Sequence, residues 1–238
     1  MGRIYHTWHG FYPGGAFANA YSFDFDGVNN VFNTGTINID ATTGLTLSCW
    51  VKSSGMATWD YLCSRGGSGI DSALNFRFAG WGGLYANISQ SSQYSGLAGF
   101  TDGNWHHILI TLNYSTGDVH YYKDNVVSAT VHTFASTYSN AILACIGALT
   151  TAGTLSISAK IDQFSIIPKV VTSGERAAIY NSGAPADLSS LSPVVWFQMG
   201  DGATWDGSNW SEPNLGSAGG TATTLNMGLS SQVADVPT

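Results

Sequence analysis

Apolar and polar residues alternate with a period of two along much of this chain, a rhythm that predicts strands rather than helices. Leu45, Leu47, Cys49 and Val51 alternate with Thr46, Ser48, Trp50 and Lys52, which sets one apolar row against a core and a mixed row on the other side. Leu74, Phe76 and Phe78 repeat the pattern against Asn75, Arg77 and Ala79. The clearest segment is WHHILITLN at 105–113, where His106, Ile108, Ile110 and Leu112 share one face. Ser115-Thr116-Gly117-Asp118 and VHYYKDNVVSATV follow, the signature of two successive hairpins turning at Thr116-Gly117 and Asp124-Asn125. Further strands are predicted over 20–25, 29–33, 60–65, 84–88, 141–146 and 159–167, and one more inside VVWFQMGDG at 194–202.

Many short strands separated by Gly and Asn turns indicate an all-β, antiparallel sandwich or barrel. One short helix interrupts them: Thr172 and Glu175 have the spacing of a capping box, and Asn181-Ser182-Gly183 ends the run. Residues 1–20 lack a period and read as an N-terminal arm. The sandwich is expected over 21–185, with 186–238 as a strand and loop extension packing on the sandwich or on a neighbour. The last stretch, 230–238, shows no pattern and is expected to be mobile or held by a neighbour.

Composition narrows the function. Hydrophobic residues make up 44% of the 238 and aromatic ones 13%, ample for a core, whereas only 10% are charged. Ordinary soluble proteins are roughly a quarter charged, so the polar surface here comes from Ser, Thr, Asn and Gly, as suits an extracellular or particle-bound protein. The net charge is −7 and the eight basic residues are scattered singly, which argues against nucleic acid as a partner. Cys49, Cys63 and Cys145 leave an odd thiol in any pairing and lie in apolar runs, where they read as small buried hydrophobes. No stretch approaches the ~20 apolar residues of a membrane helix. The opening MGRIYHTWHGFYPGG lacks the unbroken apolar run of a secretory signal, so the expected route out of a cell is release of an assembled particle.

The order of segments carries a resemblance. YSFDFDGVNNVF, LTLSCWVKSS, DGNWHHILITLN, GDVHYYKDN and KIDQFSIIPKVVTSGERAAIYNSG occur in the sequence that resembles the laminin-G-like, concanavalin-A-like jelly-roll domain, over residues 20 to 185. The most specific pieces are Gly103-Asn104-Trp105-His106-His107 and Ile161-Asp162-Gln163-Phe164. The resemblance implies a two-sheet jelly-roll sandwich with one short helix and extended terminal segments. FDFDGVNN and VVWFQMGDGATWDGSNW are also similar in style to domains of tailed, especially marine, bacteriophage structural proteins. That similarity implies a virion component on the particle surface, a head decoration or an appendage.

Candidate chemistry is sparse. Related glucan-cleaving sandwiches need paired carboxyl groups ~5 Å apart, whereas Glu175 and Glu212 are the only glutamates. Glu175 serves a helix start and Glu212 has no acidic neighbour in its loop; Asp24 and Asp26 share a strand face without a third carboxylate. His106 and His107 are adjacent, so on a strand their rings point to opposite faces and cannot converge on one ion; the reading puts His106 in a mixed core and His107 at the sheet surface. No catalytic residue is assigned, and an enzyme is not expected. Some members of the resembling family hold calcium at one rim, which Asp24, Asp26, Asn29, Asp102 and Asp162 would have to supply, but their spacing does not demand it and no cofactor is assigned.

Glycan binding is the stronger option, because sugars stack on exposed rings beside amide and hydroxyl groups. Trp59, Tyr61, Trp81, Tyr85 and Tyr94 lie in Gly- and Ser-rich segments suited to a sandwich edge, against the alternative that they pack a core or a subunit contact. Trp205 and Trp210 carry the same ambiguity. Trp8, Phe11 and Tyr12 in the arm have the character of assembly contacts. The leading expectation is therefore a non-catalytic virion structural protein that touches other virion proteins and forms a homo-oligomer, a trimer first by analogy. The alternative is a carbohydrate-binding receptor-recognition protein of a tail fibre or spike; a glycoside hydrolase ranks third.

Overall fold

A computed structural model describes residues 17–66, 75–88, 91–134 and 140–238. Two antiparallel sheets pack face to face. The first, of eight strands, runs β10 (Val126–Thr133), β9 (Asp118–Lys123), β8 (Trp105–Asn113), β3 (Gly44–Lys52), β12 (Ser158–Ile167), β1 (Ser22–Asp26) and β17 (Gln232–Val233), with β13 (Val195–Phe197) also paired to β12. The second, of nine, runs β14 (Thr204–Trp205), β15 (Trp210–Pro213), β16 (Thr221–Leu225), β2 (Val31–Asp40), β11 (Asn140–Ile146), β4 (Asp60–Ser64), β5 (Asn75–Phe78), β6 (Leu84–Ile88) and β7 (Ser91–Tyr94).

Alternation builds the core between them. Leu45, Leu47, Cys49 and Val51 of β3 and Ile108, Ile110 and Leu112 of β8 face Phe32 and Ile39 of β2, Phe76 and Phe78 of β5 and Leu84 and Ala86 of β6 in one apolar cluster. Burying a side chain of this size is worth about 1.5–3 kcal/mol, so a one-residue slip of any inner strand would forfeit several such terms at once. The hairpin turns fall where expected: Asp124 and Asn125 both have positive φ (51° and 64°), the pair a tight two-residue turn requires. All three cysteines are buried, and none is joined in a disulfide.

The outer face of the eight-stranded sheet is covered as well. Thr172 caps α1 (Ser173–Tyr180): its hydroxyl accepts from Glu175 N at 3.2 Å, and a Glu175 carboxylate oxygen accepts from Thr172 N at 2.8 Å. Ile179 then packs with Leu109, Ile167, Val171, Leu188 and Trp196 in a second apolar cluster, and Tyr180 stacks on Trp50 at 5.8 Å. The mixed row Thr46, Ser48 and Trp50 is consequently buried. This reverses the expected placing of the adjacent histidines. His107, on the covered face, is fully buried, whereas His106 sits at the rim because β8 has only just begun there.

The C-terminal residues complete both sheets. β16 pairs with β2, β13 with the second half of β12, and β17 with β1. The expectation of a mobile or neighbour-held tail at 230–238 is corrected. Besides the β17 pairing, the Asp235 carboxylate accepts from Lys52 Nζ at 3.0 Å, from Trp105 Nε1 at 3.0 Å and from Lys160 Nζ. Backbone pairing along an edge strand needs no side-chain periodicity, which is why the pattern gave no sign of it.

Candidate functional site

The β4–β7 end of the nine-stranded sheet carries the site. Phe76 and Phe78 point inward, so Arg77 between them points out; Leu84 and Ala86 likewise turn Tyr85 outward. Register then lines up one row: Tyr61 lies opposite Arg77, Arg77 opposite Tyr85, and Tyr85 opposite Tyr94. At the spacing of neighbouring strands the row spans about 14 Å, room for more than one sugar ring. The next row, Asn75, Asn87 and Ser92, is polar.

Two tryptophans flank the row. Trp59 precedes β4 in a left-handed conformation, φ 77°, uncommon for a bulky residue. The turn that holds it is pinned by Asp60, whose carboxylate accepts from Ala57 N at 2.9 Å and Ser158 N at 3.1 Å. Trp81 belongs to the β5–β6 hairpin, closed by Gly82 N donating to Ala79 O at 2.8 Å. Its indole lies against Gly83, where a Cβ would come within 2.3 Å of the ring, so the glycine is a condition of that placement. Trp81 meets Tyr94 edge to face at 5.1 Å, and Tyr94 meets Tyr85 at 5.4 Å.

Of the five rings singled out by sequence, Trp59 and Trp81 are about half exposed (46% and 53%), and Tyr85 and Tyr94 are partly so. Tyr61 is 6% exposed and forms the floor, its hydroxyl accepting from Asn87 Nδ2 at 3.4 Å. Burial pushes its phenol up, against the pull of Arg77 and Asn87. Arg77 is the residue that sequence reasoning missed. Its guanidinium lies 3.6 Å from the Trp59 ring centroid and 4.6 Å from that of Tyr85, and Nη2 donates to Ser92 Oγ at 2.9 Å. The signal available was a lone cation at an outward position of an aromatic-rich strand.

The other candidates are dispersed. Trp210 is in the core with Trp205 packed on it at 5.3 Å, so neither offers a free platform. Trp8, Phe11 and Tyr12 lie outside the described residues. The oxygens considered for calcium do not form a common cage. Asp26 accepts from Val28 N, Asp102 pairs with His106, Asp162 accepts from Asn19 Nδ2, and Asn226 Nδ2 donates to Asn29 O. These residues do not fit a shared cation, and among the described residues no cluster of three His, Cys, Asp or Glu side chains suits a metal.

His106 has a carboxylate at each ring nitrogen, Asp124 at 2.7 Å and Asp102 at 3.1 Å, and the Asp124 bond raises its pKa against the desolvation of partial burial. The arrangement suits a doubly protonated, structural imidazolium. Glu175 remains at the helix cap, paired with Lys169. Glu212 is buried in β15 and accepts from Met199 N and Gly200 N, both at 2.8 Å. Although it has no acidic neighbour in sequence, folding brings Asp201 and Asp162 close enough to repel it electrostatically. Asp201 holds the entering chain by accepting from Ala20 N and Tyr21 N, and Asp162 holds Asn19, so these two carboxylates anchor the start of the sandwich. A cavity of about 380 Å³ between α1 and residues 187–191 has no aromatic lining; the ring row is a surface platform on the other sheet.

Comparison with known proteins agrees with the architecture. The profile of the concanavalin A-like lectin/glucanases superfamily, in its laminin-G-type form, matches residues 26–175. No curated protein matches. Among solved structures, a candidate carbohydrate binding protein from Bacteroides ovatus superposes with a TM-score of 0.65 at 12% identity, over 93% of this chain and 62% of its own. A heptameric SAP-like pentraxin from Limulus polyphemus gives 0.51 at 13% identity, over 68% and 82%. The extracellular region of zebrafish Gpr126/Adgrg6 gives 0.53 at 14%, over 91% and 26%. The chain thus spans under two thirds of the Bacteroides protein and about a quarter of the zebrafish one, and at these identities the likeness is one of fold. With two antiparallel sheets in place and a family profile matching more than half of its length, the chain belongs to the concanavalin A-like lectin/glucanases superfamily.

Proposed function

We propose that this protein binds carbohydrate on the outer face of strands β4–β7. The observation that carries this reading is the registered row Tyr61–Arg77–Tyr85–Tyr94 flanked by half-exposed Trp59 and Trp81. Ring faces there offer stacking surface for the apolar C–H faces of a sugar, and the adjacent Asn87 and Ser92 offer hydrogen-bonding groups for its hydroxyls. The Bacteroides ovatus structure, described as a candidate carbohydrate binding protein, supports the same reading. The proposal includes no bond-breaking step: Glu175 is held by its helix cap and Lys169, and Glu212 by backbone N–H groups under the surface.

The virion role read from the sequence is kept as the setting of this binding, with a surface-displayed component that adheres to a host glycan. Deleting residues 1–15 should then prevent incorporation into particles while leaving glycan binding intact. The binding itself is tested on a broad glycan array with the wild-type chain and Trp81→Ala. Affinity on the order of millimolar to micromolar is expected, weakened about tenfold or more by the substitution. Silence across the array, or a Trp81→Ala variant that binds as wild type does, would defeat the proposal.

A further inference from the structure

We propose that Arg77 is an anion receptor within this platform and that the glycan recognised carries a single carboxylate or sulfate group, a refinement that rests on the carbohydrate-binding reading. Arg77 is only 6% exposed. A buried cation ordinarily has a carboxylate beside it, since desolvating an unpaired charge is costly. Among the described residues, no carboxylate pairs with this one, and its contacts are two aromatic rings and the Ser92 hydroxyl.

Unmet hydrogen-bonding capacity points to the occupant. Arg77 Nε is buried with no hydrogen-bond partner, and so is Asn87 Oδ1. Arg77 and Asn87 lie on the neighbouring strands β5 and β6, which pair directly. Leaving a buried donor or acceptor unmatched is costly. One orphan is a cationic donor and the other a neutral acceptor on the same face, so the complementary ligand presents both an oxyanion and a hydroxyl. An acidic sugar has both. Stacking between guanidinium and rings holds the donor edge in a fixed plane, the geometry that favours forked hydrogen bonding to a carboxylate or sulfate.

Charge limits how acidic the ligand is. The protein carries −7 overall and Arg77 is a single cation, so a densely sulfated polymer or a nucleic acid gains one attraction against a repelling field. A glycan with one anionic substituent at the bound position gains the contact without that penalty.

Matched oligosaccharides decide the matter: each neutral member is compared with counterparts bearing one carboxylate or one sulfate, as in lactose, sialyllactose and sulfated lactose, across a wide set of backbones. The acidic members should bind about tenfold or more tightly than the neutral ones at low salt, the margin shrinking as salt is raised. Carboxylate and sulfate arms separate the two sources of the anion. Arg77→Met should remove the margin, so that neutral and acidic members bind alike whatever the change in overall affinity; should that variant fail to fold, the wild-type salt dependence is the deciding measurement. Equal, Trp81-dependent binding of neutral and acidic members would overturn the anion assignment and leave the carbohydrate reading standing. So would an acidic preference that survives Arg77→Met or is indifferent to salt. No binding to any member would remove both.

Discussion

Ser48 and His107, on the neighbouring strands β3 and β8, are hydrogen-bonded to each other beneath α1, with Oγ 2.8 Å from the imidazole Nε2. Trp50 and Tyr180 close over the same ring, with centroids 4.9 and 5.8 Å away. The pair ties the helix-covered face of the eight-stranded sheet to a neutral imidazole.

Burial pushes His107 down from 6.5 to about 3. Between those values the unfolded chain holds a proton that the folded one does not, so this contribution is complete above about pH 6.5 and is lost as pH falls towards 3, by on the order of a few kcal/mol. Urea unfolding across that window should show stability rising with pH, and His107→Phe should flatten the rise. A variant profile parallel to wild type would refute the linkage.

Glu212 behaves with the opposite sign. Burial raises it from 4.5 to about 8, against the pull of the backbone N–H groups of Gly200 and Met199. The folded state therefore holds the extra proton, and this contribution is full below pH 4.5 and lost as pH rises through about 8. Relative to Glu212→Gln, the wild-type chain should lose stability over that interval in denaturant titrations. A constant difference between the two proteins would show that the group does not titrate there.

The C-terminal clamp is equally accessible to experiment. Despite partial desolvation, bonds from Lys160, Lys52 and Trp105 hold Asp235 at about 2. Its contribution is thus present above 3.8 and fades as pH falls towards 2. Asp235→Asn should cost about 1–2 kcal/mol at neutral pH, a figure reduced for the side chain's 30% exposure, and should release the tail to limited proteolysis. Unchanged cleavage rates would mean that β17 alone secures the terminus.

Burial raises all three thiols, with Cys145 pushed up to about 11 and Cys49 and Cys63 well above their ordinary value. Because the thiolate is the reactive form, a thiol reagent at mildly alkaline pH should label none of the three in the folded protein and all three in denaturant. Rapid labelling of the native chain would contradict the packing around Cys63 and Cys145 on the nine-stranded sheet.

Local chemistry made much of the architecture legible. Strict alternation over 105–113 identified β8 end to end, and Thr172 with Glu175 announced the helix start, because both signals depend on neighbours within a few residues. The aromatic residues of the site were visible too, yet only as members of Gly- and Ser-rich segments. Their alignment in one row was not, because it depends on the registers of three strand pairings, and neither was Arg77, whose meaning comes from the rings above it and from having no paired carboxylate among the described residues.

The amino-acid order by itself determined that the chain folds as antiparallel β-structure and which apolar row of each inner strand faces the core, since a period of two sorts side chains before any long-range contact forms. Tertiary structure alone decided which outer faces stay open. α1 covers one sheet and buries His107, the C-terminal strands extend both sheets, and the β4–β7 face retains its exposed rings. The reason is that burial of an outward-facing residue depends on what packs over it from distant parts of the chain, and period-two alternation holds no information about that covering layer.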